Sequence, residues 1–205
     1  AVGLSGRAKA RVVYTGGGGM NWGPQARALL REVQASTKAP VTSTLMGLGA
    51  FPADHEDGLG MLGMHGTYEA NWAMNQADLI VCVGARFDDR VINGETAAKF
   101  CPNAKIIHID IDPASISKTV KADIPIVGPV DSVLTEMVAA LKEIEQAPDK
   151  ESQATWWKQI DEWRGGGRLF PYNEGDGSII KPQTVIETLC EVTKGEAYVS
   201  SDVGQ

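Results

Sequence analysis

Short, continuous apolar runs alternate along this chain with stretches whose apolar positions recur at helical spacing. The first run, Arg11–Thr15, holds Val12, Val13 and Tyr14 and predicts a strand. A helix is predicted over 24–35, with Pro24 suited to its first turn. A short second strand is expected at 41–44 and a helix at 67–77. Between them "MGLGAFPADHEDGLGMLGMHG" reads as a long glycine-rich loop, of the kind that in a compact domain is usually functional. "DLIVCVGA", "AKIIHIDID" and "ADIPIVG" read as strands, the first two apolar enough for burial on both faces. "PASISK" predicts a short helix between the last two, and Val133, Leu134, Met137, Val138, Leu141 and Ile144 predict a longer one after them. This alternation predicts a doubly wound, Rossmann-like α/β unit around a mostly parallel six-stranded sheet.

The pattern changes near Ala147, where "QAPDKESQ" is polar and contains Pro148. The expected organisation is a nucleotide-binding domain over 1–146, a linker over 147–182, and the start of a second α/β domain over 183–205. Within the linker, "ATWWKQIDEWR" predicts a helix carrying Trp156, Trp157, Trp163 and Ile160. Docking of that helix onto a core or another domain competes with a ligand role for the indoles. A last helix is expected at 181–193 and a last strand at 196–202. Because "GEAYVSSDVGQ" stops just beyond that strand, where ligand loops begin in an open parallel sheet, the sequence reads as a segment of a longer chain.

A formal charge of -7 argues against nucleic-acid and anionic membrane surfaces as partners. Cys82, Cys101 and Cys190 lack the paired spacing of a disulfide framework or zinc site, and a reducing, cytoplasmic setting is the expectation. No run reaches the ~18 apolar residues of a membrane span, and no signal-peptide pattern opens the chain.

Four stretches carry candidate chemistry. In "YTGGGGMNWGP", Gly16, Gly17, Gly18 and Gly19 lack Cβ atoms, so backbone N–H groups and a following helix N-terminus could approach a phosphate. The spacing is not G-x-G-x-x-G, and a plain tight turn explains the run equally well. In "GARFDDR", Gly84 ends a buried strand, and Arg86, Asp88, Asp89 and Arg90 follow at the ligand edge of such a sheet. An arginine there can pair with a diphosphate, whereas a solvated ion-pair cluster is the plainer reading of Asp88. In "HIDID", Asp110 could accept from ribose hydroxyls, and His108 is more often a core histidine than a catalyst. In "GMLGMHGTYEAN", Gly63 and Gly66 flank Met64 and His65, and either a flat ring lies on this loop or Met64 fills core. Asp54, His55, Glu56 and Asp57 read as an exposed loop rather than a metal site. No nucleophile elbow is recognisable.

Together "APVTSTLMGLGAFP", "LGMLGMHGTYEANWAMNQADLIVCVGARFDDRV" and "NAKIIHIDIDPASISKTVKADIPIVG" resemble the middle domain of acetolactate synthase (acetohydroxyacid synthase) large subunits. The likeness extends, more weakly, over nearly the whole chain. It implies a DHS-like NAD/FAD-binding domain. It also implies an enzyme that uses thiamine diphosphate, Mg2+ and FAD to join pyruvate to pyruvate or 2-oxobutanoate with loss of CO2, in branched-chain amino-acid synthesis. The flavin in that family is largely structural, the reaction having no net redox change. The flavin is implied to lie along Gly16 to Gly19, Thr44 to Met46, His65 to Arg86 and Asp110 to Ile111, with Gly16, Gly17, Gly18, Gly19, Thr44, Leu45, Met46, Met64, His65, Gly66, Gly84, Arg86, Asp88, Arg90, Asp110 and Ile111 as the binding residues. Arg86 would lie near the diphosphate and Asp110 near the adenosine ribose. Asp89 and Arg90 resemble substrate-channel positions, where herbicide-type inhibitors also bind. Val203, Gly204 and Gln205 resemble the first diphosphate-contacting loop of the thiamine-binding domain. Implied partners are the other domains of the subunit, a dimer or tetramer of large subunits, and a regulatory small subunit.

Pro129 departs from the family pattern, which has aspartate after the glycine of "IPIVG"; Asp131 is close by. The family's catalytic glutamate and its metal-binding GD…N motif belong to the domains on either side, so this segment alone is expected to be inactive. The alternatives are the middle domain of another flavin-containing thiamine enzyme (glyoxylate carboligase or pyruvate oxidase), an NAD module, and a cofactor-free assembly domain.

Overall fold

The computed structural model describes residues 2–92, 100–143, 149–165, 172, 173 and 175–202. The chain divides into two compact units, residues 1–169 and 170–205.

The first unit opens with α1 (Val2–Arg7), followed by β1 (Arg11–Thr15), whose five residues are all buried. The glycine run forms α2 (Gly17–Asn21), which leads into α3 (Gly23–Thr37). Next come β2 (Val41–Ser43), one 3-10 turn at Leu45–Gly47, and β3 (Gly58–Met61). α4 (Tyr68–Gln76) and β4 (Leu79–Val83) follow, then β5 (Lys105–Asp110), β6 (Ile124–Val127), α5 (Val130–Glu143) and α6 (Lys150–Arg164).

The six strands form one sheet in the order β3-β2-β1-β4-β5-β6, and every pairing is parallel. The chain winds outward from β1 to β3, returns to β4 on the other side of β1, and winds outward again. This makes β1 and β4 the topological switch point, the place where such sheets open a crevice at their C-terminal edge.

Alternation of side chains through the central strands creates two cores. Val12, Tyr14, Ile80, Cys82 and Ile106 face one, closed by Ala70, Ala73 and Met74 of α4 and Trp156 and Ile160 of α6. Val13, Leu79, Val81, Val83, Ile107 and Ile109 face the other, closed by Ala26, Leu30 and Val33 of α3 and Leu134, Met137 and Val138 of α5. Continuous apolar strands are what two-sided burial requires. The edge strand β6 tolerates Pro125 because only one of its sides must donate to the ladder.

The indoles of α6 dock that helix onto this unit. The Trp156 Nε1–H donates to the Arg11 carbonyl at 3.1 Å and the Trp157 Nε1–H to the Lys38 carbonyl at 3.1 Å. Trp163 stacks on Trp72 of α4, with centroids 6.2 Å apart. The helix starts at Lys150, earlier than the aromatic run suggested, because Asp149 caps it by accepting from the Ser152 N–H at 3.1 Å.

Three elements differ from the sequence expectations. The long glycine-rich loop contains β3, which forms because β2 offers it a partner, Val41 opposite Gly58 and Ser43 opposite Met61. "PASISK" is a set of turns rather than a helix, since the Asp112 carboxylate accepts from the Ala114 N–H at 2.9 Å and offers the backbone another partner. Residues 196–202 form no strand. In the second unit, α7 (Pro182–Thr193) has no buried residue, and Ile179, Ile180, Val185, Ile186 and Val192 are all exposed. Ile144 of the predicted longer helix lies outside the described residues. Among the described residues, no helix is long and apolar enough to cross a membrane.

Candidate functional site

The four stretches singled out in the sequence meet in pairs at the C-terminal edge of the sheet. The Gly16 N–H donates to the Val83 carbonyl at 3.0 Å, and the Gly18 N–H to the Gly84 carbonyl at 3.0 Å. A Cβ on Gly16 would stand 2.3 Å from the Gly84 oxygen, and one on Gly18 would stand 2.7 Å from the Gly84 Cα. Gly84 has φ +59°, and its own Cβ would fall 2.6 Å from the Gly18 Cα. The run is glycine because two main chains touch there.

The N–H of Gly19 bonds the Gly16 carbonyl at 2.9 Å, so the amides of Gly16, Gly18 and Gly19 all meet protein carbonyls, as in the tight turn the sequence left open. The run packs against the Gly84 main chain at the switch point.

The turn after β2 lies alongside. Thr44 N–H donates to the Thr15 carbonyl at 2.9 Å, and Thr44 Oγ1 accepts from the Gly47 N–H at 3.0 Å, capping the 3-10 turn. The cap leaves Leu45 and Met46 exposed, Met46 by 73%. The loop at 63–66 is tied to the one after β4. The Met64 N–H donates to the Arg90 carbonyl at 3.1 Å, and Gly63, at φ +108°, would place a Cβ 2.5 Å from that carbonyl oxygen. Asn71 of α4 holds the loop from below through both the N–H and the C=O of Gly63. Met64 is 67% exposed and His65 is exposed as well, which rules out core filling for Met64. Asp110 ends β5 nearly buried, its Oδ1 accepting from the Asp112 N–H at 2.9 Å, and Ile111 beside it is exposed.

Arg86 reaches Asp88 at 2.7 Å in an exposed ion pair, while Arg90 and Asp89 stand 4.0 Å apart. Exposed pairs of this kind are worth at most about 1 kcal/mol, so both guanidinium groups are cheap to redirect to an anion. Between Arg86 and Asp88 lies Phe87, 1% exposed and at φ +54°. Its ring sits 5.3 Å from Tyr14, 5.3 Å from His108 and 6.0 Å from Phe100, centroid to centroid. Sequence reasoning passed over Phe87, although a lone aromatic inside a charged run was the available signal.

His108 is a core residue. Its Nε2 lies 2.8 Å from the Ala85 carbonyl, and burial lowers its pKa below the ordinary 6.5. Pro129 precedes α5, and Asp131, in the first turn, accepts from the Ser132 N–H at 2.8 Å. Asp54, His55 and Glu56 are exposed, and no group of three or more His, Cys, Asp or Glu among the described residues could hold a metal ion. Val203, Gly204 and Gln205 lie outside the described residues. An open hollow of about 890 Å³ lies between α4 and α6, lined by Tyr68, Trp72, Trp156 and Trp163; Tyr68, Trp72 and Gln76 fall within the 65–86 span, and none of the individually named flavin-binding residues borders it.

Residues 5–137 match the family model described as the thiamine pyrophosphate enzyme, central domain. The chain belongs to this family. Over 198 residues, 97% of its length, it is 52% identical to the acetolactate synthase isozyme 3 large subunit of Escherichia coli (strain K12). It is 47% identical over 200 residues, again 97% of the chain, to the acetolactate synthase large subunit of Haemophilus influenzae. To the acetolactate synthase of Mycobacterium leprae it is 42% identical over 198 residues, also 97% of the chain. The chain spans about one third of the length of these relatives, 33%, 33% and 31% respectively. A central-domain family sheet with the order β3-β2-β1-β4-β5-β6 agrees with the expected Rossmann-like architecture, with all six strands parallel.

Proposed function

We propose that this chain is the FAD-binding central portion of an acetolactate synthase large subunit. The observation that carries the reading is the switch point between β1 and β4, where parallel sheets of this kind open a crevice. Its floor is main chain closed by glycines, and its rim is apolar and exposed at Leu45, Met46, Met64 and Ile111, with Arg86 beside it. An apolar rim suits the flat ring of a flavin, and an arginine in a weak surface pair suits a diphosphate. Identity of 52% to an acetolactate synthase supports the choice among thiamine enzymes.

The bound flavin supplies a rigid filler of the crevice, with no net redox step required of it. Arg86, released from Asp88, would hold the diphosphate, the Asp110 carboxylate would accept from ribose hydroxyls, and Met46 and Met64 would offer apolar contact to the ring. Asp89 and Arg90 border the substrate channel. Residues 183–205 begin the thiamine-diphosphate domain, with Val203, Gly204 and Gln205 in its first diphosphate loop. The thiamine diphosphate, the Mg2+ and the catalytic glutamate belong to the rest of the subunit. The large subunits form a dimer or tetramer with a regulatory small subunit in the cytoplasm.

The test is a visible absorption spectrum of the full-length protein as purified, followed by assay on pyruvate. A flavin spectrum and acetolactate as product support the reading. Colourless protein that fails to quench added FAD fluorescence overturns the cofactor assignment. Tartronate semialdehyde from glyoxylate, with no acetolactate from pyruvate, overturns the reaction.

A further inference from the structure

Tyr14, Cys82 and His108 stand in register across β1, β4 and β5, in one row on the face covered by α4 and α6. All three side chains are essentially buried. Two of them converge on a single acceptor. Cys82 Sγ lies 3.1 Å from the Ala85 carbonyl oxygen and His108 Nε2 lies 2.8 Å from the same atom. A carbonyl has only lone pairs to offer, so Nε2 must carry the imidazole proton and Cys82 must be a thiol. Burial pushes the Cys82 pKa up and the His108 pKa down, which agrees with a neutral thiol and a neutral ring.

The position of that carbonyl matters more than its burial. Ala85 lies between Gly84, at φ +59° against the glycine run, and Arg86. Phe87, also in the left-handed region, is fixed by rings on the same face as the pair. Arg86 is thus held on both sides, by a doubly bonded carbonyl before it and a buried ring after it. Its long side chain keeps its own freedom while its Cα has almost none.

We propose that Cys82 and His108 are a positioning pair for the cofactor loop: by holding the Ala85 carbonyl they fix the main chain from which Arg86 reaches the flavin diphosphate. The inference rests on the flavin-binding reading above. Neither residue touches the cofactor, and both act through Arg86.

The experiment measures FAD dissociation constants by fluorescence quenching in the full-length protein. Cys82→Ala with His108→Leu leaves the carbonyl unsatisfied, and the double variant is expected to bind FAD about ten-fold more weakly or worse. Cys82→Ser with His108→Gln keeps a donor at each position and is expected to recover binding to within about three-fold. Ile80→Val, a truncation on the same strand and face, loosens the core without touching the carbonyl and is expected to leave affinity unchanged. The deciding readout is coupling with Arg86→Ala. If the pair acts through Arg86, Cys82→Ala weakens binding in the wild-type background and has no further effect in the Arg86→Ala background. Additive losses, or an Ile80→Val loss equal to that of Cys82→Ala, overturn the positioning role while leaving the flavin reading intact. Wild-type protein that binds no FAD overturns both. Should the double variant fail to fold, Cys82→Ala alone, a small change in volume, decides by the same coupling.

Discussion

Replacing Gly84 by alanine tests whether the floor of the crevice is a main-chain contact. Two costs are calculable. An alanine at φ +59° pays the left-handed penalty of roughly 1 kcal/mol. Its methyl would also lie 2.6 Å from the Gly18 Cα and 3.0 Å from the Gly18 carbonyl carbon, atoms that cannot rotate away, and such overpacking costs a further 1–3 kcal/mol, roughly. The expected loss is about 2–4 kcal/mol. Gly23 is the control, because it has φ +74° and nothing within 4 Å of an added Cβ. Gly23→Ala therefore pays the backbone penalty alone, about 1 kcal/mol. Urea unfolding of the 205-residue chain, followed by tryptophan fluorescence, reads the difference, since all five tryptophans lie in the unit that contains both glycines. With a slope of about 2 kcal/mol/M, the Gly84→Ala midpoint should fall by about 1–2 M and that of Gly23→Ala by about 0.5 M. Equal midpoints would refute the close-contact argument.

Phe87→Ala should cost about 3–5 kcal/mol by the same assay and should open the loop to trypsin at Arg86 and Arg90; cleavage no faster than wild type would remove Phe87 as the anchor. His108 is neutral when folded and has its pKa lowered by burial, so the unfolded chain binds the extra proton. Stability should be full above about pH 7.5 and should decline as pH falls through the unfolded value of 6.5 toward the folded one; His108→Gln should flatten this part of the urea-midpoint profile, and an unchanged slope would contradict the assignment. Tyr14→Phe deletes a buried hydroxyl that lacks a hydrogen-bond partner, so it should be neutral or stabilising by up to about 1 kcal/mol; a loss of more than that would mean the hydroxyl is bonded after all.

Elements that bury both faces could be read from the sequence. β4 and β5 appear as continuous apolar runs because helices cover them on each side, and α5 appears as a repeat because only one of its faces is covered. β3 was hidden for the opposite reason. Gly58 and Gly60 have poor strand propensity, and the strand exists only because β2 pairs with it, a tertiary fact. The strand expected at 196–202 had the propensity but has no strand to pair with among the described residues. The candidate site was legible as a set of places and less so as a set of roles. Four glycines in a row announced a close approach, but the sequence could not tell whether a phosphate or the Gly84 main chain was approaching. Phe87 and the convergence of Cys82 and His108 on Ala85 depend on cross-strand register, which no local pattern encodes.

The crevice is assembled from two kinds of material. Its base is backbone against backbone, so its shape is indifferent to which side chains surround it, provided that the few hydrogens standing in for side chains are kept. On the proposed reading chemical selectivity is confined to the perimeter, where Leu45, Met46, Met64, Arg86 and Ile111 are exposed and bear little of the fold's stability. The same foundation could therefore be refitted for a different ligand, or for none, by exchanging a handful of outward-facing residues without rebuilding the sheet beneath them.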